Sequence, residues 1–337
     1  MLTSVQQKRV TISVIVPAYN AAAFLPRCLA PLRAMLARAE IDQIVVIDDC
    51  STDDSPALVA AMPEVLPLRT PHNMGPGAAR NLAAERAGGD FLWFVDSDVI
   101  VAEDAARVLR RTIARGEVAA IVGSYDDAPG AANFLSQYKN LVHHYYHQRA
   151  RPDGATFWAG CGAVRRDLFR RLGGFDAQRF RHPSVEDIEL GYRIRDAGGR
   201  IAFEPALQGK HLKEWRFVNL VHTEVFRRAI PWTRLMLERG GLSNDLNVGV
   251  MERVRALVAG LTVLATLAWA FGLVSSLWPV AWAATGAWMN RGFVGFFLRL
   301  RGLLFAARAY LFHQFYYLYS SAAFACATLM HRLSERR

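Results

Sequence analysis

Phe91-Leu92-Trp93-Phe94-Val95-Asp96-Ser97-Asp98 runs from an apolar strand straight into two carboxylates one residue apart. A short apolar run that ends this way is expected at the carboxyl edge of an α/β sheet, where such sheets bind ligands. Two acids held so close repel each other unless a cation lies between them. Hard oxygen donors suit Mg²⁺ or Mn²⁺, which take one or two protein carboxylates and complete their shell from phosphate oxygens. The stretch points to a divalent metal and a diphosphate, although taken alone Asp-x-Asp also reads as a solvated turn or a helix cap.

Outward from it, the chain alternates. Residues 11–16 are a short β-branched run closed by Pro17, residues 21–39 have helical spacing, and residues 44–47 form a second apolar strand ending at Asp48-Asp49. Residues 73–87 read as a glycine-rich loop entering a helix, 102–115 as a helix and 118–122 as a further strand. Such alternation implies a mostly parallel sheet with right-handed crossovers. After Gly123 it stops, and a helix is expected over 133–148. The Gly-rich Trp158-Ala159-Gly160-Cys161-Gly162, a helix over 186–196 and a strand over 201–203 follow.

The 337 residues allow one large domain or two smaller ones, and 52% hydrophobic residues is high for a soluble enzyme. The excess is concentrated: residues 256–289 carry no charge and exceed the roughly 20 apolar residues that span a bilayer. Residues 214–238 read as one or two amphipathic helices, with Trp215, Phe217, Leu220, Val221, Val225 and Phe226 on one side, of the kind that lies on a membrane surface. Residues 257–278 can cross once, 279–289 are short for a crossing, and 303–330 can cross again although Arg308 and His313 lie inside them. The expected organisation is a tail over 1–10, a catalytic domain over 11–240, and a membrane region over 250–337 with two or three transmembrane or re-entrant helices.

Residues 1–10 contain no apolar signal core, so the expectation is a multi-pass inner-membrane protein with its catalytic part in the cytoplasm. Cys28, Cys50, Cys161 and Cys326 lack Cys-x-x-Cys spacing, which argues against a disulfide framework and a structural zinc. The net charge of +10 gathers near the apolar segments and along residues 165–181. Anionic headgroups and a phosphorylated substrate account for that pattern, and no nucleic-acid-binding motif is present.

Four clusters fall in a fixed order: Val14-Ile15-Val16-Pro17-Ala18-Tyr19-Asn20, Val45-Val46-Ile47-Asp48-Asp49-Cys50-Ser51-Thr52-Asp53, Asn73-Met74-Gly75-Pro76-Gly77-Ala78-Ala79-Arg80-Asn81 and Asp96-Ser97-Asp98. Together they resemble the family 2 glycosyltransferases, inverting enzymes of the GT-A fold, in their membrane-anchored bacterial form. The resemblance covers residues 11–237. It implies an α/β fold: a Rossmann-like mixed sheet of the nucleotide-diphospho-sugar transferase type, flanked by helices, with C-terminal transmembrane helices added.

A carboxylate at the end of the second strand can accept from a uracil N3–H or a ribose hydroxyl, and Asp48 and Asp49 stand there; the alternative is a helix N-cap before residues 51–54. Pro17, Ala18 and Tyr19 would form the other wall, with Tyr19 bordering the base. The glycines of residues 73–81, Gly77 among them, let backbone approach a ligand, and Arg80 can brace the diphosphate or the metal-site acids. The resemblance implies that Asp96, beside Ser97, faces the donor ribose or the metal, and that Asp98 binds Mg²⁺ or Mn²⁺. His211 would be a further ligand, as a late histidine is in several GT-A enzymes, or else a structural residue.

Metal-assisted departure needs a nucleophile, so the second half should hold a general base. Ser184-Val185-Glu186-Asp187-Ile188-Glu189-Leu190 resembles the Glu-Asp motif of inverting members, which implies Asp187 as base and Glu186 as the residue orienting the acceptor. Acids in a first helical turn are also favoured by the dipole alone. Trp158, Gly160 and Cys161 are expected to line the sugar or acceptor pocket. His143, His144 and His147 read as a solvated or headgroup-facing surface.

The implied activity moves a sugar from a nucleotide-diphosphate donor, UDP by family default, to a hydroxyl or phosphate of a saccharide or lipid-linked acceptor. The reaction would take place at the cytoplasmic membrane face, in cell-envelope glycan or glycolipid synthesis, with membrane lipids as a further partner. Two alternatives stand beside it. An inactive GT-A-like scaffold would have lost acids at the metal or base positions. A processive polysaccharide synthase would carry Gln-x-x-Arg-Trp, which Pro231-Trp232-Thr233-Arg234 does not supply.

Overall fold

Apolar runs such as Val14-Ile15-Val16 and Phe91-Leu92-Trp93-Phe94-Val95 have no polar face and must be covered on both sides. A computed structural model, describing residues 9–150, 153–154, 156–242 and 246–335, buries them in one nine-stranded sheet. The tail expected over residues 1–10 lies, up to residue 8, outside the described residues, as do Arg336 and Arg337. The chain divides into two compact units, residues 1–131 with 150–214 and residues 132–149 with 215–337.

The first unit opens as β1 (Ile12–Ala18), α1 (Leu25–Ala37), β2 (Gln43–Asp48), α2 (Ser55–Ala60), β3 (Leu66–Arg69), α3 (Pro76–Arg86) and β4 (Phe91–Val95). β3, β2, β1 and β4 are neighbours in that order and all parallel, as the alternation predicts. Next come β5 (Val99–Val101), α4 (Ala105–Ala114) and β6 (Ala120–Tyr125), and after α5 (Phe134–His147) of the second unit, β7 (Asp153–Gly154), β8 (Cys161–Arg165), α6 (Arg166–Arg171), α7 (Glu186–Asp196) and β9 (Ile201–His211).

The second half of the sheet is mixed rather than parallel. β8 runs antiparallel between β4 and β6, β6 pairs parallel with β9, and β5 and β7 pair antiparallel with β9. β9 extends eleven residues where three are expected, because an irregularity at Val122/Ser124 lets it follow β6 and then receive β5. The core is the apolar face of this sheet under α1 and α4, including Leu25, Leu29, Leu32, Val108 and Leu109.

The second unit holds α5, α8 (Phe217–His222), a π-helical turn (Thr223–Ala229), α9 (Ile230–Glu238), a 3₁₀ turn (Leu246–Val248), α10 (Val250–Ala270), α11 (Leu277–Met289) and α12 (Arg291–Glu335). The helix expected over 133–148 therefore sits with the C-terminal helices, not with the 11–240 span. Tyr138, Leu141 and Tyr145 of α5 pack on Phe293, Phe296, Phe297, Ala306 and Ala309 of α12 in an aromatic core. Gly302 breaks α12 at φ 80°, ψ 177°. Arg308, whose charge is costly in a bilayer, lies 4.4 Å from the Phe134 ring centre, and His313 Nδ1 lies 2.7 Å from the Tyr138 hydroxyl. His313 is thus buried inside the unit, whereas Arg308 stays exposed with its guanidinium over the Phe134 ring, so the cost its charge raises in the sequence stands. The expected one-sided face over 214–238 is split: Trp215 and Leu220 are buried, Phe217 and Phe226 exposed. The rings of His143 and His147 stack at 3.7 Å.

Entry into α3 depends on one glycine. Gly75 has φ 85° and ψ 161°, a region essentially closed to other residues, and a Cβ there would lie 2.2 Å from the Arg181 carbonyl oxygen. Gly77 is helical, and its Cβ would meet nothing closer than 3.4 Å. Gly75→Ala is predicted to destabilise the protein by at least about 1–3 kcal/mol from backbone strain alone. Gly77→Ala should stay within about 1 kcal/mol of wild type, since Ala favours a helix over Gly. Parallel thermal melts of the two variants check this, and equal melting temperatures would contradict it.

Candidate active site

β1 and β2 end level, with Ala18 opposite Asp48, and β4 stops two residues short of them, with Ile15 opposite Phe94, so residues 17–20, 48–53 and 96–98 share one edge. Loop-to-loop bonds fix that edge. Asn20, at φ 48°, accepts the Thr52 backbone N–H at 2.9 Å and donates its own N–H to Ser51 Oγ at 2.9 Å. Asp48 accepts the Ser51 N–H at 3.2 Å and pairs with Arg69 at 3.4 Å. Asp49 accepts from the Thr70 hydroxyl at 2.9 Å and from the backbone N–H of Met74 and Gly75, each at 2.8 Å. Its carboxylate therefore ties the loop before α3 to β2. Tyr19 is 52% exposed at the rim.

Arg80, one turn into α3, is buried between two acids. Its Nη2 donates to Asp96 Oδ1 at 2.6 Å, its Nη1 lies 3.5 Å from Glu186 Oε1, and the guanidinium sits 5.6 Å from the Phe175 ring centre. Burial opposes this charge, but Asp96, Glu186 and Asp187 raise its pKa above the ordinary arginine value. The group is thus a fixed cation. Its Nε has no hydrogen-bond partner among the described residues. Phe175 is held there by Asn81, whose side chain exchanges two 2.8 Å hydrogen bonds with the Phe175 backbone.

Glu186 and Asp187 open α7. Glu186 Oε2 accepts the Ser184 N–H at 2.8 Å, and Asp187 Oδ2 accepts the Ala159 N–H at 3.2 Å. The base candidate therefore touches the Trp158–Gly160 stretch. The Trp158 ring covers Gly160, where a Cβ would fall 2.5 Å from it, and meets Tyr125 edge-on at 4.8 Å. Tyr125 stacks on His211 at 4.5 Å, and His211 Nε2 lies 3.4 Å from Asp98 Oδ2 because Val99 and His211 are register partners. Burial alone would raise the Asp98 pKa, but the His211 imidazole and Lys213 hold it below the usual carboxylate value.

Among the described residues no three His, Cys, Asp or Glu side chains converge as a metal cluster. Asp98 and His211 still fit a divalent cation that draws its remaining ligands from a diphosphate and water. Asp96 is engaged by Arg80. Ser97 occupies the turn between β4 and β5.

Cys161 departs from its expected place in a pocket: it is the first residue of β8, opposite Val95, fully buried, with its thiol pushed up to about 12 by burial. The basic run 165–181 is also more structural than expected. Arg165 and Arg171 pair with Asp167 at 2.6 and 2.8 Å, around a surface cavity of about 520 Å³ also lined by Val10, Asp90 and Phe91. Phe175 and Tyr125 escape the sequence reading, since neither lies in a recognisable pattern. Asn81, by contrast, closes one of the four quoted clusters.

Residues 13–173 match the Glycosyl transferase family 2 profile. A pre-mycofactocin glycosyltransferase of Mycobacterium tuberculosis is 28% identical over 217 residues, 60% of this chain and 44% of that protein. The succinoglycan biosynthesis protein ExoO of Rhizobium meliloti is 38% identical over 110 residues, 32% of this chain and 30% of that one. The matched segments thus span less than half the length of these curated relatives. A mannosyltransferase from Pyrobaculum calidifontis, solved in complex with GDP-Man and Mn²⁺, superposes with a TM-score of 0.59 at 22% identity, covering 90% of this chain and 88% of its own. With its mixed sheet, its flanking helices and these likenesses, the chain carries the GT-A fold, and its residues 13–173 are a glycosyl transferase family 2 domain.

Proposed function

We propose that this protein is an inverting, metal-dependent glycosyltransferase that moves a sugar from a nucleoside-diphosphate donor to a hydroxyl or phosphate of a membrane-associated acceptor. One observation carries the reading: buried Arg80 joins Asp96, on the donor edge, to Glu186, the residue before the candidate base Asp187. Filled acid positions at both ends of this bridge count against an inactivated scaffold. The Mn²⁺ and GDP-Man bound by the Pyrobaculum neighbour, and the UDP-sugar donors usual for the family, make GDP and UDP sugars the first donors to try.

In this reading Asp48 takes the nucleoside, Pro17, Ala18 and Tyr19 border its base, and Asp49 and Gly77 shape the phosphate-facing loop. Asp98 and His211 would hold the metal, which when bound neutralises the departing diphosphate. Arg80 holds Asp96 in place and fixes the start of α7, while Asp187 receives the acceptor proton as the acceptor oxygen bonds to C1 and the C1–O bond to the diphosphate breaks. The face of Trp158 suits the C–H surface of a sugar. The second unit would attach the enzyme to the cytoplasmic side of a membrane; α10 is the one helix among the described residues that is long and apolar enough to cross.

Thermal shift with UDP and GDP sugars, in Mn²⁺ and in EDTA, tests the donor site; a ligand at about a hundred times its Kd stabilises by roughly 2.7 kcal/mol. The wild type should be stabilised by one nucleotide, in Mn²⁺ only. Asp98→Asn should lose that shift while keeping its ligand-free melting temperature. Asp187→Asn should keep the shift and lose about 10²–10⁴-fold in turnover, the range a general base supplies. Retained turnover in Asp187→Asn would remove the base assignment, and no shift with any donor would remove the donor site.

A further inference from the structure

We propose that α10 and α11 form a re-entrant hairpin that enters one leaflet and returns to the face it left, rather than two bilayer crossings. The inference rests on the membrane attachment proposed above and concerns its form. Both feet of the hairpin meet at one hydroxyl: Tyr317 Oη donates to Glu252 Oε2 at 2.8 Å, at the start of α10, and lies 3.2 Å from Asn290 Oδ1, just past the end of α11. The Tyr146 hydroxyl bonds the same Glu252 oxygen at 2.9 Å, and Arg255 pairs with the other. The charged start of α10 is thus tied into the protein, and the two helices leave from one level.

The tip is apolar. Residues 271–276 carry no charge, and Phe271, Leu273 and Leu277 are 78%, 76% and 75% exposed. A loop that emerged in water on the far side would leave these side chains uncovered. The turn can lie in hydrocarbon because its backbone is bonded internally: Gly272, at φ 72°, donates to Trp269 O at 2.9 Å, and Leu273 donates to Ala268 O at 2.8 Å.

The shorter arm decides against a crossing. At about 1.5 Å per residue, α11 and its foot reach about 20 Å from Asn290 to Leu277, well short of a hydrocarbon core of about 30 Å. α10 is long enough to cross by itself, but it shares the level of its foot and its tip with α11, so the shorter helix sets the depth the hairpin reaches. Exposed Leu264, Leu267, Trp269, Trp278 and Val280 offer the arms an apolar exterior. Arg253 and Arg291 stand at the feet, with Arg291 4.6 Å from the Trp288 ring centre, whereas no cation stands at the tip. Positive charge on the foot side marks that side as cytoplasmic.

The test uses the full chain in sealed membrane vesicles of both orientations, with Cys50 and Cys326 replaced by Ser and one cysteine added, Ser275→Cys at the tip or Arg291→Cys at a foot. A membrane-impermeant maleimide should label Arg291→Cys from the cytoplasmic side only. It should leave Ser275→Cys untouched from either side and label it fully after detergent is added. Brominated phosphatidylcholine should quench Trp269 and Trp278 fluorescence. Labelling of Ser275→Cys from the side opposite Arg291→Cys would mean a crossing, and labelling from the same side would mean a surface hairpin; either overturns the proposal. Protection without quenching would mean that a second copy covers the hairpin, and overturns it too. Release of the wild type from vesicles by alkaline carbonate would instead defeat membrane attachment itself, which separates the two failures.

Discussion

The catalytic unit depends on one buried cation. Arg80 has Asp96 and Glu186 on two sides and the Phe175 ring beside it, so removing its charge would leave two carboxylates, with Asp187 close behind, facing one another in a partly dry site. Breaking a buried pair of this kind costs about 3–5 kcal/mol. The same contact sets distance as well as charge: Asp96 is fixed to the end of β4 and Glu186 to the start of α7, elements that are far apart in sequence. Their separation is therefore the span of one guanidinium. Asn81, next to Arg80, makes the supporting grip on Phe175, and Gly75 permits the loop that turns the chain into α3.

A second line of contact runs from Asp98 through His211 and Tyr125 to Trp158, Gly160 and Asp187. It links the candidate metal ligands to the candidate base through one stacked and one edge-on ring contact, with a carboxylate at each end. The two lines meet at α7. An enzyme that must hold a diphosphate at one end and an acceptor hydroxyl at the other gains from such a frame, because its geometry is set before either substrate arrives.

How much of this is legible in the sequence varies with its physical origin. Strand ends carrying Asp48, Asp49, Asp96 and Asp98 can be read because a short apolar run must be buried and the acid that stops it must find water or polar partners, as buried Asp48 and Asp49 find them in the neighbouring loops. α7 begins at Glu186 as its acids predict. β8 is hidden because Cys161-Gly162-Ala163-Val164-Arg165 is made of small residues without β-branched alternation; only its partners β4 and β6 make it a strand. The length of β9 is hidden for a related reason, since an irregularity in β6 is a property of the pair. Cys161 shows the limit of reasoning by neighbourhood, for it adjoins Gly160 yet is buried in the core. His313 looks misplaced in an apolar segment until the Tyr138 hydroxyl is seen beside it.

The most direct test of the bridge is the rate of nucleoside diphosphate release by Arg80→Lys, measured beside the wild type with the sugar nucleotide that stabilises it. Lysine keeps the charge but not the two-sided fork. A protein that folds and binds donor but releases diphosphate at least a hundredfold more slowly is the predicted result. Wild-type release by Arg80→Lys would contradict the claim that this guanidinium sets the distance between donor edge and base.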